Sequence, residues 1–236
     1  LSSNGSTVRI RGIRVNRRKS DCANAGERCA LNITGRGVGE HSVRRGSWLM
    51  HSDLYNPTMR IDVDLEVLPA EAGTLKHWTL THLHIGSDHL PARVAVLSGG
   101  SIAAGTRGLA QLVLFRETFV CHGDRFVLRD QSAQRTIAGG RVIDPFSPKR
   151  GRAKPSRIAS LKVMCGENPA EILRELTDQS VTGVSLQPFA VSHNLPTLQI
   201  NSLIASLELI LVGNSPKERI FSNKRWRELS DRIEKI

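Results

Sequence analysis

From Gly105 to Pro145 the sequence leaves room for strands and tight turns and little else. Leu109, Leu112, Val113 and Leu114 make one apolar run, and Phe119–Val120 a second after Arg116–Glu117. His122-Gly123-Asp124 reads as a turn, Phe126, Val127 and Leu128 as a third run, and Thr136–Ile143 as a fourth after the polar Asp130–Gln134. Short runs of β-branched or aromatic residues bounded by Gly, Asp and Ser are strands with tight connections. The paired Gly139-Gly140 inside such a strand predicts a bulge or a close backbone approach, the device by which small barrels turn corners.

The strands before it fit the same plan. Met59–Leu68 alternates strictly, with Met59, Ile61, Val63, Leu65 and Val67 on one side and Arg60, Asp62, Asp64 and Glu66 on the other. That pattern predicts one buried and one wet face, as in an antiparallel barrel or sandwich. After a loop at Pro69–Gly73, His77–Ile85 and Leu90–Leu97 follow as strands around Gly86-Ser87-Asp88. Further upstream, Ser6–Val15 is a half-buried strand bearing Arg9, Arg11 and Arg14, Asn16–Asp21 a basic turn, and Arg28–Ile33 and Ser47–Met50 two more strands.

The order AQL-x-L, GDRFVLRD, Arg135-Thr136-Ile137 and GGRVIDP, with THLHIGSDHLPARVAVL before it, resembles the third domain of the selenocysteine-specific translation elongation factor. TVRIRGIRV, AGERCALNI and RRGSWL resemble the later half of that factor's second, tRNA-binding barrel. The implied fold is multi-domain and mainly β: antiparallel barrels like those of elongation factor Tu, the first incomplete, then an α+β winged-helix domain. The expected divisions are 1–56 (partial second barrel), 57–145 (third barrel), 146–157 (basic linker) and 158–236 (winged helix). A truncated barrel exposes strand edges, so the first 50 or so residues are expected to be mobile or to borrow an edge from a neighbouring chain. Two departures from the family pattern are Ser47, where relatives tend to have Asp, and the long GGSIAAGTRG loop.

The C-terminal part changes to helical period. Ser156–Met164 is a short helix, and Asn168-Pro169-Ala170-Glu171 starts another with Asn as its cap. A short helix around Phe189 follows, then Pro196–Glu208 presenting Leu198, Leu203, Ile204 and Leu207. A hairpin, Ile210–Val212 and Arg219–Phe221, leads to a last helix capped by Asn223 with Trp226, Leu229 and Ile233 inward. Helices followed by a hairpin are the order of a winged helix, and GVSLQPFA and ELILVG…W resemble the first of those in the same factor. The helix Pro196–Glu208 carries no cation, which makes it a poor groove reader.

Lys and Arg number 33 against 22 Asp and Glu, a net charge of +11. Such a surplus favours a polyanionic partner, nucleic acid first. Aromatics are only 4%, so the cores are built from aliphatic residues. No apolar run approaches the ~18–20 residues of a membrane span, no apolar signal segment opens the chain, and Cys22, Cys29, Cys121 and Cys165 form no CxxC pair. A cytoplasmic protein with unpaired thiols and no membrane association is expected. No GxxxxGK[ST] is present, so this chain is expected to be no enzyme and to need no cofactor. The resemblance implies GTP and Mg only for the full-length factor.

The resemblance implies selenocysteyl-tRNA, the ribosome and a selenoprotein mRNA hairpin as partners, with delivery of that tRNA at recoded UGA codons. The hairpin would be read through a C-terminal part beyond this chain. Arg28 stands where related factors place a pocket-lining residue. A cation there would favour an ionised selenol, whereas the alternative is a surface arginine at a strand start. Arg45 is a second candidate. In the third barrel Arg93, Arg125, Arg129 and Arg135 are candidates for tRNA phosphate contacts, and in the linker Lys149, Arg150, Arg152 and Lys154 are either phosphate contacts or a solvated tether. His82, His84 and His89 could approach a zinc site, but no fourth ligand stands at a supporting spacing, so ordinary barrel histidines and no metal are expected. The alternative function is a winged-helix DNA-binding regulator with a β sensor domain; a histidine-metal enzyme ranks with it.

Overall fold

The computed structural model describes residues 5–35, 43–71 and 73–233. Parts of the expected barrel half at the N-terminus, and Ala72 of the expected Pro69–Gly73 loop, lie outside them. The chain divides into two units, Leu1–Pro57 and Thr58–Ile236.

In the first unit β1 (Arg9–Val15), β2 (Arg18–Ser20) and β3 (Cys29–Thr34) form a three-stranded antiparallel sheet in the order β2-β1-β3. The turn expected at Asn16–Asp21 is a hairpin: Asn16 and Arg17 have positive φ, and β2 returns at once along β1. The strand expected at Ser47–Met50 is instead a turn closed by Ser47 N–H on the Arg44 carbonyl at 2.9 Å. It is followed by a single bridging residue, Leu49. Glycine at 46 takes the left-handed φ that this turn requires.

The second unit is built on a closed barrel, in the order β10-β11-β4-β9-β7-β6, every neighbouring pair antiparallel. Its staves are β4 (Thr58–Val67), β6 (Thr79–Ile85), β7 (Asp88–Val96), β9 (Arg107–Thr118), β10 (Arg125–Arg129) and β11 (Thr136–Asp144), with a side pair of β5 (Leu75–Lys76) and β8 (Ser101–Ile102). Alternation does what the sequence predicts on the inside: Ile61, Val63, Leu65, Leu83, Val94, Leu112 and Leu128 are at most 1% exposed. Gly140 is the close approach expected of the glycine pair, since a Cβ there would collide with the Asp64 carbonyl oxygen and stand 2.8 Å from Leu65 Cα. The GGSIAAGTRG loop is not free of structure. Its Ile102, in β8, is 5% exposed and packs into the barrel core.

Two expectations fail on the outside of β4. Met59 is 41% exposed, because the β4–β9 register shifts between Thr58 and Arg60 and drops it out of phase. Asp62, expected on a wet face, is fully buried, because helices cover that wall.

Those helices are α1 (Pro155–Met164), α2 (Pro169–Gln179), α3 (Leu186–Ser192), α4 (Thr197–Ser206) and α5 (Asn223–Ile233), accompanied by a small sheet β12-β14-β13 (Val184–Ser185, Arg219–Phe221, Ile210–Val212). Asn168 caps α2 as expected, its Oδ1 accepting the Ala170 N–H at 3.0 Å. Their core (Leu161, Ile172, Leu173, Phe189, Ile200, Ile220) continues onto the outer barrel wall through Leu97 and Ile143. Leu198 and Ile233, expected inward, are 85% and 71% exposed, and Ile200 takes the inward place on α4. Asn223 does not cap α5. Its Nδ2 donates to the Glu208 carbonyl at 2.7 Å, while Ser222 Oγ accepts from Arg225 N–H at the helix start.

Candidate nucleic-acid interface

Net positive charge matters for a polyanion only where it is not already neutralised, and the barrel's arginines fall into two groups on that criterion. Arg107 pairs with Glu66 at 3.0 Å, Arg116 with Asp88 at 2.5 Å and Arg141 with Glu167 at 2.9 Å. Arg135, one of the sequence candidates, is held by Glu71 and Asp130, both at 3.4 Å. These pairs occupy guanidinium donors that a phosphate would need, and those exposed on both sides add little stability. Asp130 is fixed further by N–H donors from Gln134 and Arg135, which hold its carboxyl below the usual range.

Among the described residues, Arg93, Arg125, Arg129, Lys149, Arg150, Arg152 and Lys154 lie within 4 Å of no carboxylate. Arg129 nonetheless spends one Nη donor on the Ala133 carbonyl at 3.0 Å. Arg125 is exposed beside a cleft lined by Arg107, Arg141, Glu66 and Glu167. Arg93 and Arg152 come together over one side chain that the sequence pattern does not single out. Their Cζ atoms stand 5.9 and 5.6 Å from the centre of the Trp78 indole. Where periodicity predicts the start of a strand at His77–Trp78, the structure has the turn between β5 and β6, with Trp78 at φ +71°. The available signal is an aromatic residue in a polar junction of a chain with few aromatics.

The linker expectation needs correction at Arg157. It belongs to α1 and is half-buried against the barrel, its Nη2 donating to Asp62 Oδ2 at 2.5 Å and to Asp144 Oδ2. Asp62 and Asp144 stand directly opposite each other on β4 and β11, an arrangement of like charges that is destabilising without a cation. Gln111, opposite Asp62 on β9, donates to Asp62 at 2.9 Å and to the Pro148 carbonyl at 3.2 Å. Burial pushes the Asp62 carboxyl up, against the pull of the Arg157 guanidinium. A second junction lies at the His122 turn, where His122 N–H donates to the Ser192 carbonyl at 2.7 Å and its ring stacks on His193 at 4.4 Å. Burial pushes His193 down to about 4.

His82 and His84 lie on β6 and His89 on β7. His84 and His89 face each other across the strands with rings 5.8 Å apart. Partial burial and then the nearby Arg129 charge lower the His84 pKa. Among the described residues no group of three or more His, Cys, Asp or Glu is placed to hold a metal ion. All four cysteines are free, Cys22 and Cys29 exposed, and burial raises Cys121 to about 11. No helix among the described residues is long and apolar enough to cross a membrane. In the first unit Arg28 and Arg45 are exposed, Arg28 just before β3 and Arg45 in the Arg44–Ser47 turn.

The family model for the selenocysteine-specific elongation factor β-barrel domain matches residues 60–149, which are the closed barrel and the chain leaving it. The selenocysteine-specific elongation factor of Escherichia coli (strain K12) is 32% identical over 185 residues, covering 78% of this chain and 27% of that protein. Its namesake from Desulfomicrobium baculatum is 33% identical over 145 residues, 61% of this chain and 23% of that protein. The Haemophilus influenzae factor is 27% identical over 210 residues, 88% of this chain and 33% of that protein. The chain thus spans between about a quarter and a third of these relatives. The crystal structure of a bacterial selenocysteine-specific elongation factor, EF-Sec, superposes with a TM-score of 0.64 at 19% identity, over 96% of this chain and 34% of that one. At that identity the superposition speaks for the fold. The barrel match and the three relatives agree on one point: residues 60–149 are a selenocysteine-specific elongation factor β-barrel domain, and the chain is similar to a part of those factors.

Proposed function

We propose that this chain is the tRNA-holding part of a factor that brings selenocysteyl-tRNA to the ribosome at recoded UGA codons. The observation that carries the reading is the barrel: it matches the family's own barrel domain, and its Arg93, Arg125 and Arg129 form no ion pair among the described residues. Phosphate neutralisation by such cations supplies sequence-independent affinity. The first unit, with Arg28 as the leading pocket candidate and Arg45 as the second, would serve the aminoacyl end. The helices and small sheet after the barrel are read as a winged helix that spaces the barrel from the mRNA-hairpin-reading part. Helix α4 carries no cation across Thr197–Ser206, which suits a packing role better than groove reading. Nucleotide hydrolysis belongs to the GTPase part of the full-length factor, with GTP and Mg bound there.

Filter binding of the chain to selenocysteine tRNA and to an ordinary elongator tRNA, over a salt titration, tests this. Tighter binding to the selenocysteine tRNA with a steep salt slope is the expected result. Equal affinity for both would remove the discrimination from this part of the factor, and no binding at low salt would sink the reading.

A further inference from the structure

Trp78 occupies a position that core packing does not explain. Its indole is 42% exposed, and its backbone is left-handed at φ +71°, a conformation that a bulky residue adopts only where its surroundings enforce it. The enforcement is visible. Trp78 N–H donates to the Val94 carbonyl at 2.6 Å, His77 N–H donates to the Gly100 carbonyl at 2.8 Å, and the His77 ring nitrogen Nδ1 lies 3.2 Å from the Val96 carbonyl. The corner is therefore fastened to the end of β7 and to the loop after it, while its large side chain stays at the surface.

What the side chain does there is hold cations. Arg93 arrives from β7, opposite Leu80, and donates from Nη1 to the Trp78 carbonyl at 3.3 Å. Arg152 arrives from the segment that leaves the barrel, about sixty residues further on. A guanidinium held by an aromatic ring keeps most of its in-plane N–H donors free, and its planar fork matches the oxygens of a phosphate. Neither arginine has a carboxylate within 4 Å among the described residues, in contrast to Arg107, Arg116, Arg135, Arg141 and Arg157.

We propose that Arg93 and Arg152, positioned together by Trp78, form a clamp for a backbone phosphodiester of bound RNA. Trp78 is a positioning residue, and the two arginines touch the ligand. The proposal rests on the RNA-binding reading above and makes it local: one site on the barrel wall, built from three side chains distant in sequence.

The test uses the whole chain and a fluorescein-labelled RNA stem-loop, with affinity measured across a salt series. Replacing both arginines (Arg93→Gln, Arg152→Gln) is expected to reduce the slope of log affinity against log salt by about 1, the one phosphate that the pair no longer neutralises. Arg107→Gln, which removes an arginine already paired with acids, is expected to keep the wild-type slope. Trp78→Ala should weaken RNA binding severalfold with both charges still present, and Trp78→Phe should restore most of it. In a chain with Trp48→Phe and Trp226→Phe, the remaining Trp78 emission should change on adding RNA and not on adding inorganic phosphate. A double-Gln variant that binds RNA with the wild-type slope overturns the clamp and leaves the general reading standing. A wild-type chain that binds no RNA overturns the general reading itself. Equal emission changes with RNA and with inorganic phosphate make the site a free-anion site and overturn the backbone assignment.

Discussion

The sheet of the first unit and the barrel of the second start from similar sequence material and reach different ends. Both are antiparallel, both alternate, and both carry arginines on one face. In β1, however, Ile10 remains 49% exposed, and no strand residue of the sheet is fully buried. In β4 the inward residues are sealed off completely. The difference is closure. Every barrel stave has a partner on both sides, because β10 pairs with β11 and also with β6. Alternation therefore specifies a strand, and burial comes from what the strand is wrapped around. Apolar burial, at roughly 25 cal/mol per Å², is concentrated in the second unit.

The contrast can be broken most sharply at the barrel's outer wall. Arg157→Met leaves Asp62 and Asp144 facing each other without a cation, and is expected to cost about 3–5 kcal/mol near neutral pH. Denaturant unfolding followed by Trp78 emission, with Trp48 and Trp226 replaced by Phe, would measure it. A cost under about 1 kcal/mol would mean that the wall tolerates its charges without α1. Next comes Gly140→Val, whose side chain has only β4 backbone to enter. About 3 kcal/mol or more is expected, at the upper end of overpacking costs, with loss of amide-exchange protection in β4 and β11. A variant as protected as the parent would show that the two strands can separate cheaply.

The third effect depends on pH. His193 is held neutral by burial, with a folded value near 4 against 6.5 unfolded. Between those values the unfolded chain binds more protons, so stability falls as pH drops from about 6.5 toward 4, by up to about 3 kcal/mol. Asp124, raised by its own burial, works in the opposite sense just above its ordinary value and offsets part of the loss. Midpoints of urea unfolding at several pH values should show the fall, and His193→Gln should flatten it. The smallest effect belongs to the first unit: Ile10→Ala should change stability by no more than about 0.5 kcal/mol. A larger loss in a thermal melt would mean that the open sheet depends on Ile10 as the barrel depends on Ile61.

Much of the fold is readable in the chain itself. The staves of the barrel follow from period-2 alternation, and Gly139-Gly140 announces the close approach that Gly140 makes with β4. Asp62 is not readable, because alternation knows only two faces and cannot tell that a helix 95 residues away in sequence will cover the second. Met59 falls out of phase at a register shift that leaves no mark on composition. Leu198 and Ile233 escape assignment because short amphipathic helices offer more apolar residues than one face can bury. At the interface, the arginines are legible as cations, but which of them are neutralised depends on acids such as Glu71, 64 residues from Arg135. Trp78 is opaque for a related reason: its meaning lies in two guanidiniums that the fold brings to it.

The two facing aspartates also govern geometry. A shift of α1 by one helical turn would move its guanidinium by about 5.4 Å and strand both carboxylates in a wall already closed to water. The barrel therefore admits its first helix at a single phase, much as a keyway admits one orientation of a shaft. The direction in which the chain departs from the barrel is therefore constrained by one cation in addition to the apolar contact around it.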